Sequence, residues 1–141
     1  MTPSLPDILV GNFMCMADPG PPEQQGEFMA GKVGLVALLS LLAAQEAERG
    51  VAARVEENAL IRATLAEAAA EYGLDVAGLP FTEEVTVSSL DRVNATLRTA
   101  LIGLHEAIEA RDDTVRHHAI LRLYVRMADL RRLDLPPLPA R

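Results

Sequence analysis

Gly26-Glu27-Phe28-Met29-Ala30-Gly31-Lys32 has the glycine and lysine spacing of a phosphate-binding loop. In such a loop, backbone N–H groups surround the phosphates and the lysine reaches them. The next position should carry the Ser or Thr that holds Mg²⁺, and here it is Val33. The residues before it read "PGPPEQQ", which is no strand, and Glu27 would repel a phosphate. The glycines therefore read as the start of a helix.

The histidines are His105, His117 and His118. Di-iron bundles use Glu-x-x-His on facing helices. The residues three before these histidines are Ile102, Thr114 and Val115, so that motif is absent. His117 and His118 are adjacent, and neighbours on a helix point about 100° apart, so they do not share a metal easily. Neither a metal nor a cofactor is expected on this basis.

Arg111-Asp112 followed by His117 resembles the R-polar-x4-H pattern of HEPN domains. These are helical bundles that cleave RNA as dimers. The resemblance covers seven residues of 141. It implies Arg111 stabilising a phosphorane and His117 shuttling a proton at a dimer interface. The competing reading is an inter-helix turn, in which Asp112 or Asp113 caps the following helix.

His118, Arg122 and Arg126 are spaced by four and share a helical face. That face can pair with Glu56, Glu57, Glu67 and Glu71 on a neighbouring helix, or meet an acidic protein or ligand. Asn58 sits among apolar neighbours, where a buried Asn can fix the register of an assembly.

These groups must be held by a fold, and composition points to its class. Half of the residues are hydrophobic, only 4% are aromatic and Trp is absent. The apolar content is mostly Ala and Leu, strong helix formers. Net charge is −7, which disfavours nucleic acid as a partner because phosphate contacts need Lys and Arg. Residues 111–141 run against the trend, with seven Arg and four Asp. Cys15 is the only cysteine, so no intrachain disulfide forms. Residues 1–25 hold five prolines and no Lys or Arg, unlike a secretion signal, and a cytoplasmic location is expected.

Three parts are expected: a Pro-rich docking arm over residues 1–25, a helical bundle over 26–135 and a Pro-rich tail over 136–141. The arm carries the apolar patch Ile8 to Met16, which should dock as a short helix or an extended segment on its own domain or on a neighbour. The uncharged run from Val33 to Ala44 is 12 residues. A membrane span needs about 20, so no membrane association is expected.

From Glu27 to Tyr72 the pattern is helical almost without punctuation. A seam of small or apolar residues runs through Ala37, Ser40, Ala44, Ala47 and Val51, then Asn58, Ile61, Leu65, Ala68 and Tyr72, broken by Arg54. Gly50 is the point at which this helix could bend or break. No capping residue or proline follows it, so one long helix of roughly 70 Å is preferred. Gly73 should close it.

In the connector 74–88, Leu79 and Phe81 flank Pro80 and should pin the loop to the core. A third helix should start at Ser88, with the stripe Leu90, Val93, Leu97, Leu101, Leu104, Ile108. A fourth should run from Asp112 or Asp113 to about Leu133, with Ile120, Leu123, Tyr124, Met127 and Leu130 inward. The turn between these two is short enough to make an antiparallel hairpin.

The expected fold is all-α: a long N-terminal helix packed with a C-terminal antiparallel hairpin, the bundle completed by self-association. Leu35, Leu38, Leu39 and Leu42 cover one side of the long helix, while Leu41 and the small seam cover much of the rest. A helix apolar nearly all round must be covered nearly all round. Two functions are compatible with this: a non-enzymatic interaction protein (adaptor, chaperone-like or regulatory) acting as a homodimer, or an HEPN-like ribonuclease. The absence of a convergent nucleophile, base and metal set favours the first.

Overall fold

The structure is a computed structural model that describes residues 3–17 and 25–135. It is all-helical, with no strand among the described residues. The helices are α1 (Leu5–Ala17), α2 (Gln25–Tyr72), α3 (Val87–Ala110) and α4 (Thr114–Arg131). No helix among the described residues is long and apolar enough to cross a membrane. The expected tail 136–141, and Pro19, Pro21 and Pro22 of the arm, lie outside the described residues.

The chain forms two compact units, Met1–Arg49 with Arg132–Arg141, and Gly50–Arg131. The helix α2 is continuous through Gly50, the alternative preferred from the missing cap signals after that glycine, although the boundary between the units falls there. The Gly26-to-Lys32 stretch is helical and forms no loop.

In the first unit, the apolar patch of the arm is the short helix α1. Ser4 and Asp7 cap it reciprocally: the Ser4 hydroxyl accepts from the Asp7 N–H at 3.4 Å, and the Asp7 carboxylate accepts from the Ser4 N–H at 3.3 Å. Ile8 is buried, and Asn12 donates to the Ser40 hydroxyl at 3.5 Å. The segment after α4 is held by a two-way bond: Gln45 donates to the Asp134 carbonyl, and the Asp134 N–H donates back to Gln45 Oε1, each at 2.8 Å. Arg49 adds an ion pair to Asp134 at 3.1 Å.

In the second unit, three helical stretches meet around one core. Ile61, Leu65 and Ala68 come from α2, Val93, Leu97, Leu101, Leu104 and Ile108 from α3, and Ile120, Leu123 and Met127 from α4. Every residue of the expected α3 stripe is buried. On α4, Tyr124 and Leu130 are half-buried rather than fully inside. Gly73 ends α2 with φ +66°, and the Leu74 N–H reaches back to the Ala69 carbonyl at 3.0 Å, a Schellman closure.

Two local expectations are corrected. Helix α3 begins at Val87, capped by Thr86, whose hydroxyl accepts from the Ser89 N–H at 3.3 Å, so Ser88 lies inside the first turn. Glu84 accepts a bond from the Ser89 hydroxyl at 2.6 Å and so favours this earlier start. In the connector, Leu79 packs against the core but Phe81 is 74% exposed. The Arg62 guanidinium lies over the Phe81 ring, 5.8 Å from its centre, and donates to the Pro80 carbonyl, which holds the loop from outside the core.

Candidate functional site

The tightest gathering of chemically capable side chains lies where α3 turns into α4. The turn is short because the Ile108 carbonyl accepts from both the Arg111 and Asp113 N–H groups, at 3.2 Å each. Asp112 takes φ 52° to reverse the chain, a conformation that Asp tolerates better than most residues. The Asp113 carboxylate accepts from the Arg116 N–H at 3.1 Å and starts α4, as a helix-capping Asp should.

This turn sets two residues of α3 beside two of α4. His105 and Glu109 are one helical turn apart on α3. His117 lies in the first turns of α4, and Tyr124 two turns further on. Nε2 of His105 is 3.0 Å from Nδ1 of His117, and Nδ1 of His105 is 3.2 Å from the Tyr124 hydroxyl. A single Glu109 oxygen, Oε1, stands 3.7 Å from His105 Nε2 and 3.8 Å from His117 Nδ1. Burial raises the pKa of the Tyr124 hydroxyl above its ordinary value. An open pocket of about 280 Å³ borders the group, lined by Ile108, Glu109, Asp112, Asp113, Thr114 and His117.

A second cluster flanks the turn. Tyr72 donates to Asp113 at 2.9 Å, and Arg116 pairs with Asp113 at 2.9 Å and with Glu71 at 2.7 Å. These bonds, from the Arg116 side chain first, then its N–H and Tyr72, hold the Asp113 carboxyl at a pKa of about 2. Burial, and then the bond to Asp113, raise the pKa of Tyr72.

No protein family, curated protein or solved structure matches this chain. The site must therefore be read from its own residues.

Arg111 and His117, the residues of the HEPN-like pattern, have different neighbours. The Arg111 guanidinium lies 4.4 Å from the Tyr72 ring centre and donates to the Glu71 carbonyl at 3.1 Å. His117 instead meets His105 and Glu109. On the Arg-rich face, Arg126 pairs with Glu56 at 2.5 Å, while His118 and Arg122 are exposed.

Asn58 is buried between α2 and α3. It donates to the Leu90 carbonyl at 3.1 Å and accepts from Asn94 at 2.8 Å. Arg54, the apparent break in the seam, is buried too and pairs with Asp91 at 2.7 Å.

The expected interface residues of the long helix are all exposed: Leu35, Ala37, Ser40, Leu41, Ala44 and Ala47. By helical register Ala37, Ser40, Leu41, Ala44 and Ala47 share one side with Val33, whereas Leu35 lies on the other. Ser40 also donates its hydroxyl to the Val36 carbonyl at 2.8 Å.

The His105–Glu109–His117 group is what the sequence reading missed. A search for Glu-x-x-His could not find it, because the carboxylate follows the histidine by four positions. The local signal was His105-x3-Glu109, two ligand types on one helical face. Its third member comes from across the turn.

Proposed function

We propose that this chain is a non-enzymatic helical interaction protein whose first partner is a second copy of itself, bound along the exposed apolar side of α2 between Val33 and Ala47. The carrying observation is the apolar surface that α2 leaves exposed in the first unit. Val33 and Leu41 are exposed on this side of α2, Leu35 is exposed on the opposite side, and Leu9 and Val10 of α1 are exposed as well. Exposed apolar side chains in such number on two helices mark an interaction surface.

A second copy is the occupant that suits this side best. Ala37, Ser40, Ala44 and Ala47 follow steps of 3, 4 and 3, so small side chains form a line along which two helix backbones can approach closely. The stretch from Val33 to Ala44 carries no charge, so two identical copies meet without like-charge repulsion. On α4, exposed His118 and Arg122 are flanked by exposed Val115 and Val125, a mixed face suited to an acidic partner.

Size-exclusion chromatography with light scattering tests the reading. The expected mass is twice the 15.2 kDa chain, and Ala44→Glu, a change at an exposed position, should return it to 15.2 kDa with helicity unchanged. A wild-type mass of 15.2 kDa at all concentrations sinks the proposal.

A further inference from the structure

We propose that His105, Glu109 and His117 form a binding site for a divalent transition-metal ion of the zinc class. Two imidazole nitrogens and one carboxylate oxygen are a donor set that zinc takes, with an open position left for water or another ligand. The geometry is close to what an ion requires. The three donor atoms are separated by 3.0, 3.7 and 3.8 Å, and the point equidistant from them lies roughly 2 Å from each, the length of a Zn–N or Zn–O bond.

The surroundings match a ligand role. With Nε2 of His105 bound to the ion, its Nδ1 carries the proton and donates it to the Tyr124 hydroxyl at 3.2 Å. Such a partner on the far nitrogen fixes the tautomer and the ring orientation of a metal-bound histidine. The α3–α4 turn holds the two histidines together before any ion arrives, which lowers the ordering cost of binding. Glu109 is 57% exposed, so its carboxylate is free to make the small adjustment that a bound ion sets. Glu109 and His117 also line the open pocket, which leaves room beside the group for a further ligand.

The competing explanation is a plain His105–His117 hydrogen bond that fastens the hairpin. On that reading Glu109 is an exposed carboxylate standing 3.7 and 3.8 Å from the two rings, and no saturable metal affinity is expected.

The test is titration of zinc chloride into the full chain, stripped of metal by chelation and free of any affinity tag, followed by calorimetry. One ion per chain is expected. His117→Ala and Glu109→Gln should each weaken binding at least tenfold, His118→Ala should leave it unchanged, and Tyr124→Phe should weaken it about tenfold through loss of the supporting bond. Glu109 is exposed, so its variant keeps the fold and remains informative if a histidine variant unfolds. With Co²⁺ as the probe, visible absorption bands should appear in the wild type and vanish in Glu109→Gln. Absence of saturable zinc binding, or equal affinity in the wild type, His117→Ala and Glu109→Gln, overturns the proposal.

Discussion

Glu57 of α2 is 1% exposed, and its Oε2 accepts from Nε of Arg131, near the end of α4, at 2.6 Å. Its other oxygen accepts from Asn94 of α3 at 2.9 Å, so one carboxylate ties three helices together. A buried charge is tolerable only when paired and hydrogen-bonded. Removing Arg131 takes away a charge that balances the buried Glu57 carboxylate and leaves it the neutral Asn94 amide. Arg131→Ala should therefore destabilise the fold by about 3 kcal/mol in urea denaturation. The double variant Glu57→Met with Arg131→Met should cost less than Arg131→Ala alone, because it removes both charges. Equal stability of Arg131→Ala and wild type would show that the pair carries no net stabilisation.

The same network explains where sequence reading stopped. The α3 stripe was legible because its apolar residues lie in one narrow line at steps of three and four, and all of them are buried. Arg54 looked like an interruption because the single chain does not display Asp91 as its partner. Glu57, flanked by Glu56 and Asn58, read as a surface acid available to the Arg-rich face, yet it is the more deeply buried of the two glutamates. The histidine cluster was hidden for a similar reason: His105 and His117 are twelve positions apart, and only the tight Asp112 turn brings them to 3.0 Å. Periodicity reports a helix's own faces. It does not report which polar side chain on one helix meets which on another.

Neighbouring positions on α3 give a sharp contrast in core contribution. Leu101 is 1% exposed inside the core, whereas Ile102 is 55% exposed. Leu101→Ala should cost about 2–5 kcal/mol through lost transfer energy and the cavity left behind. Ile102→Ala should stay within about 0.5 kcal/mol of wild type. Chemical denaturation of the two variants side by side checks this. A comparable loss from Ile102→Ala would mean that its surface is covered in solution.

The end of α2 depends on backbone conformation rather than packing space. A Cβ placed on Gly73 meets nothing within 4 Å, but φ is +66°, a region L-residues enter at a cost. Gly73→Ala should lower stability by about 1–2 kcal/mol. Gly73→Asn should cost less, since Asn tolerates this cap position better than other residues with a side chain. Thermal melts of both variants separate conformational strain from steric conflict, because a steric conflict would penalise the larger Asn more.

Asp113 should make the fold sensitive to acid. The Arg116 side chain, the Arg116 N–H and Tyr72 hold its carboxyl at about 2 in the folded chain, against 3.8 ordinarily. The folded state thus favours the ionised form, and the stabilisation is fully present above the ordinary value. It fades as pH falls from about 4 and is gone below about 2, where both states are protonated. Asp113→Asn keeps a side chain able to cap α4 but removes the charge. Thermal midpoints of wild type and variant should differ at pH 7 and converge as pH approaches 2. A gap that stays constant across that window would assign the role of Asp113 to capping alone, and not to its ion pair with Arg116.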